Sequence, residues 1–227
     1  MDEGAAHGIP AHAPAPWAVF GLGLASWLCG FALLYRSGTW APFAFSGAAL
    51  AAAAIGTDDA VRALLRPSLG KVAAGVAAGL LLVAATHAGF AIASRWLPAL
   101  RAATGRLFVL LEVGGFAQGE RAALIVLIAS CEEVIFRGAL LGRAEPPWPP
   151  WTWRLARGEW LRLAAFAALY ALAMATLGSW LLLLVGFACA LAWGWLRLAT
   201  RSLVPPILAH VTWDLGVLVL WPLLPSS

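Results

Sequence analysis

CEEVIFRGALL, residues 131–141, puts Glu132, Glu133 and Arg137 inside an apolar run that extends from about Ala122 to Leu141. A charged residue at the centre of a membrane helix costs roughly 2.5–3.5 kcal/mol, so three of them so close together carry a heavy penalty. At about 1.5 Å of rise per residue, Glu132 lies roughly 16 Å along from Arg121, near the middle of such a span. A position facing lipid is therefore excluded, and the three groups must face a polar interior. Glu133 and Arg137 stand four residues apart, which stacks them on one helix face as an ion pair. Glu132 points roughly 100° away from Glu133 and is left without that partner. A carboxylate in a half-dry cavity is suited to take a proton from water and return it to a leaving group.

Composition places this run in a membrane. Of 227 residues, 62% are apolar and 11% charged, against about 45–50% and about 25% in soluble domains. An ordinary water-soluble globule is excluded, and so is a disordered chain, which would be polar and charge-rich. The charged set is 15 basic and 11 acidic residues, with Lys71 the single lysine. Most arginines fall between apolar runs, where they anchor helix ends. No basic run is interleaved with aromatics, so nucleic acid is not an expected partner. Cys29, Cys131 and Cys189 lack CxxC spacing and read as buried free thiols.

Apolar runs at about 17–35, 40–56, 72–96, 122–141, 160–177, 180–199 and 203–224 are each long enough to be a span. Residues 107–117 form a shorter run, which is re-entrant, interfacial or an extension of a neighbouring helix. The expected fold is all-α, a polytopic transmembrane bundle of about seven or eight spans. Residues 1–16 read as a polar, Pro-rich tail, 17–121 as N-terminal helices with a short amphipathic segment, and 122–224 as a helical core. No Lys or Arg precedes the first apolar run, which disfavours a secretory signal peptide. With seven spans, the basic residues place the N-terminus in the cytoplasm. The PPWPPWTW stretch (146–153) suits a membrane surface, and the Gly178-Ser179 turn makes its two flanking helices antiparallel neighbours. Of the 13 tryptophans, Trp17, Trp40, Trp96, Trp160, Trp180 and Trp221 fall near span ends, as interfacial anchors do. Glu112 and Glu120 read as solvated loop acids, while Gly114, Gly115 and Gly186 allow close helix contact.

The last run carries His210 and, one turn on, Asp214. Carboxylate, imidazole and a trapped water make a hydrolytic set. A purely architectural cluster, gluing helices through Glu133–Arg137 and His210–Asp214, explains those four residues but leaves Glu132 unexplained. Zinc held by Glu132, His210 and Asp214 ranks below a metal-free site, because catalytic zinc usually takes two or three imidazoles and HExxH is absent. No cofactor is expected. A transporter is disfavoured by the compact polar set and the lack of an inverted repeat.

CEEVIFRGALL resembles the EExxxR motif of the CAAX-protease and bacteriocin-processing (Abi) family of intramembrane proteases. ATRSLVPPILAHVTWDLGVL resembles its closing motif, a Pro-rich lead into a helix carrying HxxxN or HxxxD. The resemblance covers about 122–220 and includes the Gly-containing helix WLLLLVGFACALAWGWLRL between the two motifs. It implies an endopeptidase that cleaves a membrane-embedded or C-terminal segment of a protein with a glutamate-activated water. It makes Glu132 the general base, Glu133 and Arg137 its support, and His210 with Asp214 the pair that polarises the substrate carbonyl. Asp in place of Asn removes an amide donor, so Asp214 orients His210.

The chain departs from the family in the FxxxH motif, because AAFAALYALAMATLG contains no histidine. One register puts Met174 at that position, the other puts Tyr170 there. His87 is a further auxiliary candidate, although a helix–helix hydrogen bond explains it more simply. The implied enzyme is a divergent protease of the bacterial inner membrane, with membrane lipid and a protein substrate as partners. The alternative is an inactive relative that serves as a binding, immunity-type or scaffolding protein.

Overall fold

Helix boundaries follow local chemistry along the chain. In the computed structural model, residues 16–111, 116–141 and 154–224 are described. The N-terminal tail before Pro16, Glu112, Gly114, Gly115 and the PPWPPWTW stretch lie outside these residues. The first apolar run is α1 (Pro16–Ser37), and the second is α2 (Ala41–Thr57). In the charged link, the Asp58 side chain accepts the Ala60 N–H at 2.9 Å and starts the short helix α3 (Asp59–Leu64). Ser68 caps α4 (Leu69–Trp96), whose 28 residues make the longest helix described. The short apolar run belongs to α5 (Pro98–Leu111), which begins well before it.

α6 (Gln118–Glu132) starts where Glu120 accepts the Ala117 N–H at 3.0 Å, so Glu120 is a capping residue rather than a merely solvated one. After Glu132 the backbone widens into a π-helix over Glu133–Leu140. α7 (Arg157–Ala173) ends in a 3₁₀ turn over Ala175–Leu177, and Gly178 at φ 65° reverses the chain into α8 (Trp180–Thr200). Only glycine adopts that left-handed conformation without strain. As the sequence implies, α7 and α8 pack side by side. Pro205 and Pro206 open α9 (Val204–Asp214) with a fixed helical φ, and a second π segment, Leu215–Leu220, continues it. The described residues contain helices, turns and irregular links but no strand.

Two close contacts set the position of α9. Leu203 N–H and Ser202 Oγ both donate to the Leu64 carbonyl, at 2.9 and 3.0 Å, and fix its start against α3. Along α4, Gly75 and Gly79 lie so close to α9 that a Cβ would sit 2.7 Å from the Pro205 carbonyl oxygen or 2.9 Å from that of Ala209. Glycine here lets the two backbones touch. The core is aromatic where α1, α2 and the π segment of α6 meet. Trp27 packs edge-on against Phe43 and Phe136 at ring separations of 4.8 and 5.2 Å.

α4 and α8 are long and apolar enough to cross a membrane, whereas Ala41–Thr57 and Val204–Leu220 are apolar but shorter. Large apolar side chains stand exposed on several helices, among them Phe45, Leu81, Ile92, Leu161 and Leu184. Trp96, Trp160, Trp180 and Trp221 are exposed and Trp40 is half-buried, in keeping with helix-end anchoring. Cysteine departs from expectation. Cys131 is buried, but Cys29 is exposed and Cys189 is half-buried at a cavity wall.

Candidate active site

The change from α to π pitch falls between Glu132 and Glu133 and separates their environments. Glu132 lines a cavity of about 180 Å³, together with Tyr170, His210 and Asp214. Apart from Arg121, its remaining wall is mostly apolar, including Phe31, Phe43, Ile128, Val185 and Leu218. Glu133 and Arg137 do not line that cavity, and both are fully buried behind it. π segments inside α-helices recur at functional sites because they redirect side chains.

Glu132 has partners that helix spacing did not reveal. Trp27 Nε1–H donates to Oε1 at 2.8 Å, and Tyr170 O–H donates to Oε2 at 2.8 Å. The expectation of an uncompensated carboxylate is therefore corrected. The compensation comes from α1 and α7, far away in sequence. Of the two candidates for the middle motif, Tyr170, one turn after Phe166, is the one that bonds to Glu132, while Met174 packs its sulfur against the Gly186 face of α8.

His210 sits between three carboxylates. Its Nδ1 is 2.9 Å from Glu133 Oε1, and its Nε2 is 3.3 Å from Asp214 Oδ2 and 3.8 Å from Glu132 Oε2. Glu133 also pairs with Arg137 at 3.2 Å, as the four-residue spacing implies. A carboxylate paired with arginine accepts hydrogen bonds, so His210 Nδ1–H donates to Glu133 and Nε2 turns toward the cavity. Trp193 stacks on the imidazole at 3.7 Å with the planes 17° apart. The Arg137 guanidinium lies 4.4 Å from the Tyr170 ring centre and 5.5 Å from those of Phe166 and Trp193. Three aromatic faces thus supplement the single carboxylate that pairs with this buried cation.

The structure brings together six of the expected residues: Glu132, Glu133, Arg137, Tyr170, His210 and Asp214. His87 stays apart. Its ring nitrogens lie 2.9 Å from the Val83 carbonyl and 2.8 Å from the Trp221 carbonyl, which ties α4 to the chain just beyond α9. It does not line the cavity. Trp27 and Trp193 were not singled out from sequence. Their one signal is a position in mid-run instead of at a span end, and Trp195 and Trp213 share it. Among the described residues, no group of three or more His, Cys, Asp and Glu side chains is arranged to hold a metal ion. The short distances around His210 are those of hydrogen bonds and ion pairs.

Outside the cavity, Glu159 at the start of α7 accepts the Ala156 N–H at 2.9 Å and pairs with Arg201 at 2.8 Å. Partial burial opposes its ionisation, but the Ala156 N–H and the Arg201 guanidinium prevail and hold its carboxyl below the ordinary glutamate range.

Residues 120–216 match the family model described as type II CAAX prenyl endopeptidase Rce1-like. No curated protein and no solved structure matches the chain. The matched stretch contains Glu132, Glu133, Arg137, Tyr170, His210 and Asp214 in one buried cluster, and the family is one of integral membrane proteases. Over residues 120–216 the helical core of this chain is accordingly similar to the type II CAAX prenyl endopeptidases that the Rce1-like model describes.

Proposed function

We propose that the chain is an intramembrane endopeptidase that cleaves an embedded or C-terminal segment of a membrane protein with a water activated by Glu132. The observation that carries this reading is the 3.8 Å separation of Glu132 Oε2 and His210 Nε2 at the cavity wall. One water at about 2.8 Å from each atom fits that spacing. Each Glu132 oxygen uses one lone pair on Trp27 or Tyr170 and keeps another for the water. Glu132 takes a proton as the water oxygen bonds to the scissile carbonyl carbon. The carbonyl oxygen gains the negative charge and faces His210, whose imidazolium form donates Nδ1–H to Glu133 and Nε2–H to that oxygen. When the tetrahedral adduct collapses, the C–N bond breaks and the departing nitrogen takes the proton back from Glu132.

Glu133, Asp214 and Trp193 position the imidazole, and Arg137 neutralises Glu133. The apolar wall suits an apolar substrate segment, and no cofactor or metal takes part. The exposed apolar side chains favour a bundle of seven or eight spans in a bacterial inner membrane, with 17–121 framing a catalytic core at 122–224. The frame is also part of the site, since Trp27 on α1 reaches Glu132. In a test, the full chain is co-expressed with a tagged candidate membrane substrate, wild type against Glu132→Gln. Processing should disappear in the variant; equal processing would end the proposal.

Tyr170 favours a second reading. A phenol at the place of the family's histidine is a weaker proton carrier, consistent with a binding or scaffolding relative that has lost catalysis. That reading predicts substrate capture that survives Glu132→Gln and no cleavage by either protein.

A further inference from the structure

We propose that the Arg201 end of α8 binds a phosphate-bearing anion, with Arg197 as its buried ligand. Arg197 is 1% exposed, and none of its three guanidinium nitrogens has a hydrogen-bond partner among the described residues. Among the described residues, the ionic groups that act on it are Arg201 and Arg162, both of its own sign. Glu159, which Arg201 and Arg162 also face, is paired with Arg201 at 2.8 Å. Three guanidinium groups are thus gathered here.

Chain position explains the gathering. Gly194 and Arg197, one turn apart on α8, fall toward α7, where Gly194 packs against Leu163, and Arg201, the residue just after α8, reaches Glu159. On α7, Arg162 adjoins Leu163, and its side chain is exposed. A guanidinium taken out of water without a counter-charge is strongly unfavourable. Arg137, buried to the same degree and likewise without a hydrogen-bonded nitrogen, has the Glu133 charge at 3.2 Å and three aromatic faces; among the described residues Arg197 has no comparable support. Its planar fork matches two oxygens of a phosphate, and the exposed Arg162 gives the anion an approach from outside. A phosphodiester headgroup of an anionic lipid and free inorganic phosphate share this chemistry.

The test uses the full chain in phosphatidylcholine nanodiscs and reads the midpoint of thermal unfolding. Phosphatidylglycerol, inorganic phosphate and, as a control, acetate are titrated separately. Phosphatidylglycerol or phosphate should raise the wild-type midpoint where acetate does not. A response to phosphatidylglycerol alone identifies a lipid headgroup, and an equal response to phosphate identifies the free anion. Arg197→Gln should weaken the apparent affinity by about tenfold, the usual scale for one charge-assisted hydrogen-bonded pair. The proposal is overturned if neither phosphate source shifts the wild type, or if Arg197→Gln retains the full response. Should Arg197→Gln not fold, the exposed Arg162→Gln decides, since an unchanged affinity there also overturns it.

Discussion

Two arginines are buried at the C-terminal half of α8, one turn apart, and the problem of their charge is solved differently. Arg137 of the neighbouring π segment has a carboxylate at 3.2 Å and rings of Tyr170, Phe166 and Trp193 around it. Among the described residues, Arg197 has two further arginines and an acid already taken by Arg201. The first cluster is balanced within the chain, while the second is complete only with an anion from outside. Burial alone therefore does not show what a charge is for. The count of its partners does.

Matched substitutions sharpen the contrast. Arg137→Met should destabilise the protein by about 3–5 kcal/mol, because it leaves Glu133 a buried carboxylate without its guanidinium partner. Arg197→Met in phosphatidylcholine strands no carboxylate, so it should leave the unfolding midpoint unchanged or raise it. Equal losses in a denaturation series would erase the distinction between the two arginines. Trp27→Phe keeps the ring against Phe43 and Phe136 but removes the donor to Glu132. A loss of about 1.5–3 kcal/mol is expected for a buried hydrogen bond to a charged group. Processing should fall with it, and a variant as stable and active as wild type would make Trp27 mere packing.

The smallest effect belongs to Glu159 and Arg201 at the basic end. Glu159 titrates below the ordinary glutamate range in the folded protein, so its stabilisation is fully present above that range. It is lost as the pH falls through the lowered folded value. With a partly solvated pair, the change should stay within about 1 kcal/mol. Midpoints of wild type and Glu159→Gln measured from neutral to acid pH should converge at the acid end, and parallel curves would show that the pair contributes nothing.

Legibility in the sequence divides along the same physical lines. Spacing along one helix was readable, and so Glu133–Arg137 and His210–Asp214 appear as expected. The cost of charge in an apolar run singled out Glu132 for the same reason. What periodicity cannot supply is the neighbour from another helix. Trp27 is 105 residues from Glu132 and Tyr170 is 38 away, so neither hydrogen bond leaves a local pattern. That Tyr170 rather than Met174 bonds to Glu132 depends on the packing of α7. His87 was readable as a tether, but its partner, the Trp221 carbonyl, was not.

By itself the sequence determined an all-helical chain, the positions of its long apolar helices and the residues too costly to bury without purpose. Those properties arise from hydropathy, chain punctuation and i,i+4 geometry, which act over a single turn or a single run. Tertiary structure alone decided which carboxylate faces the cavity, which tryptophan holds it and which buried arginine lacks a partner. Each of these depends on the approach of distant helices, set by Gly75 and Gly79 against α9 and by a π segment that turns Glu133 away from Glu132.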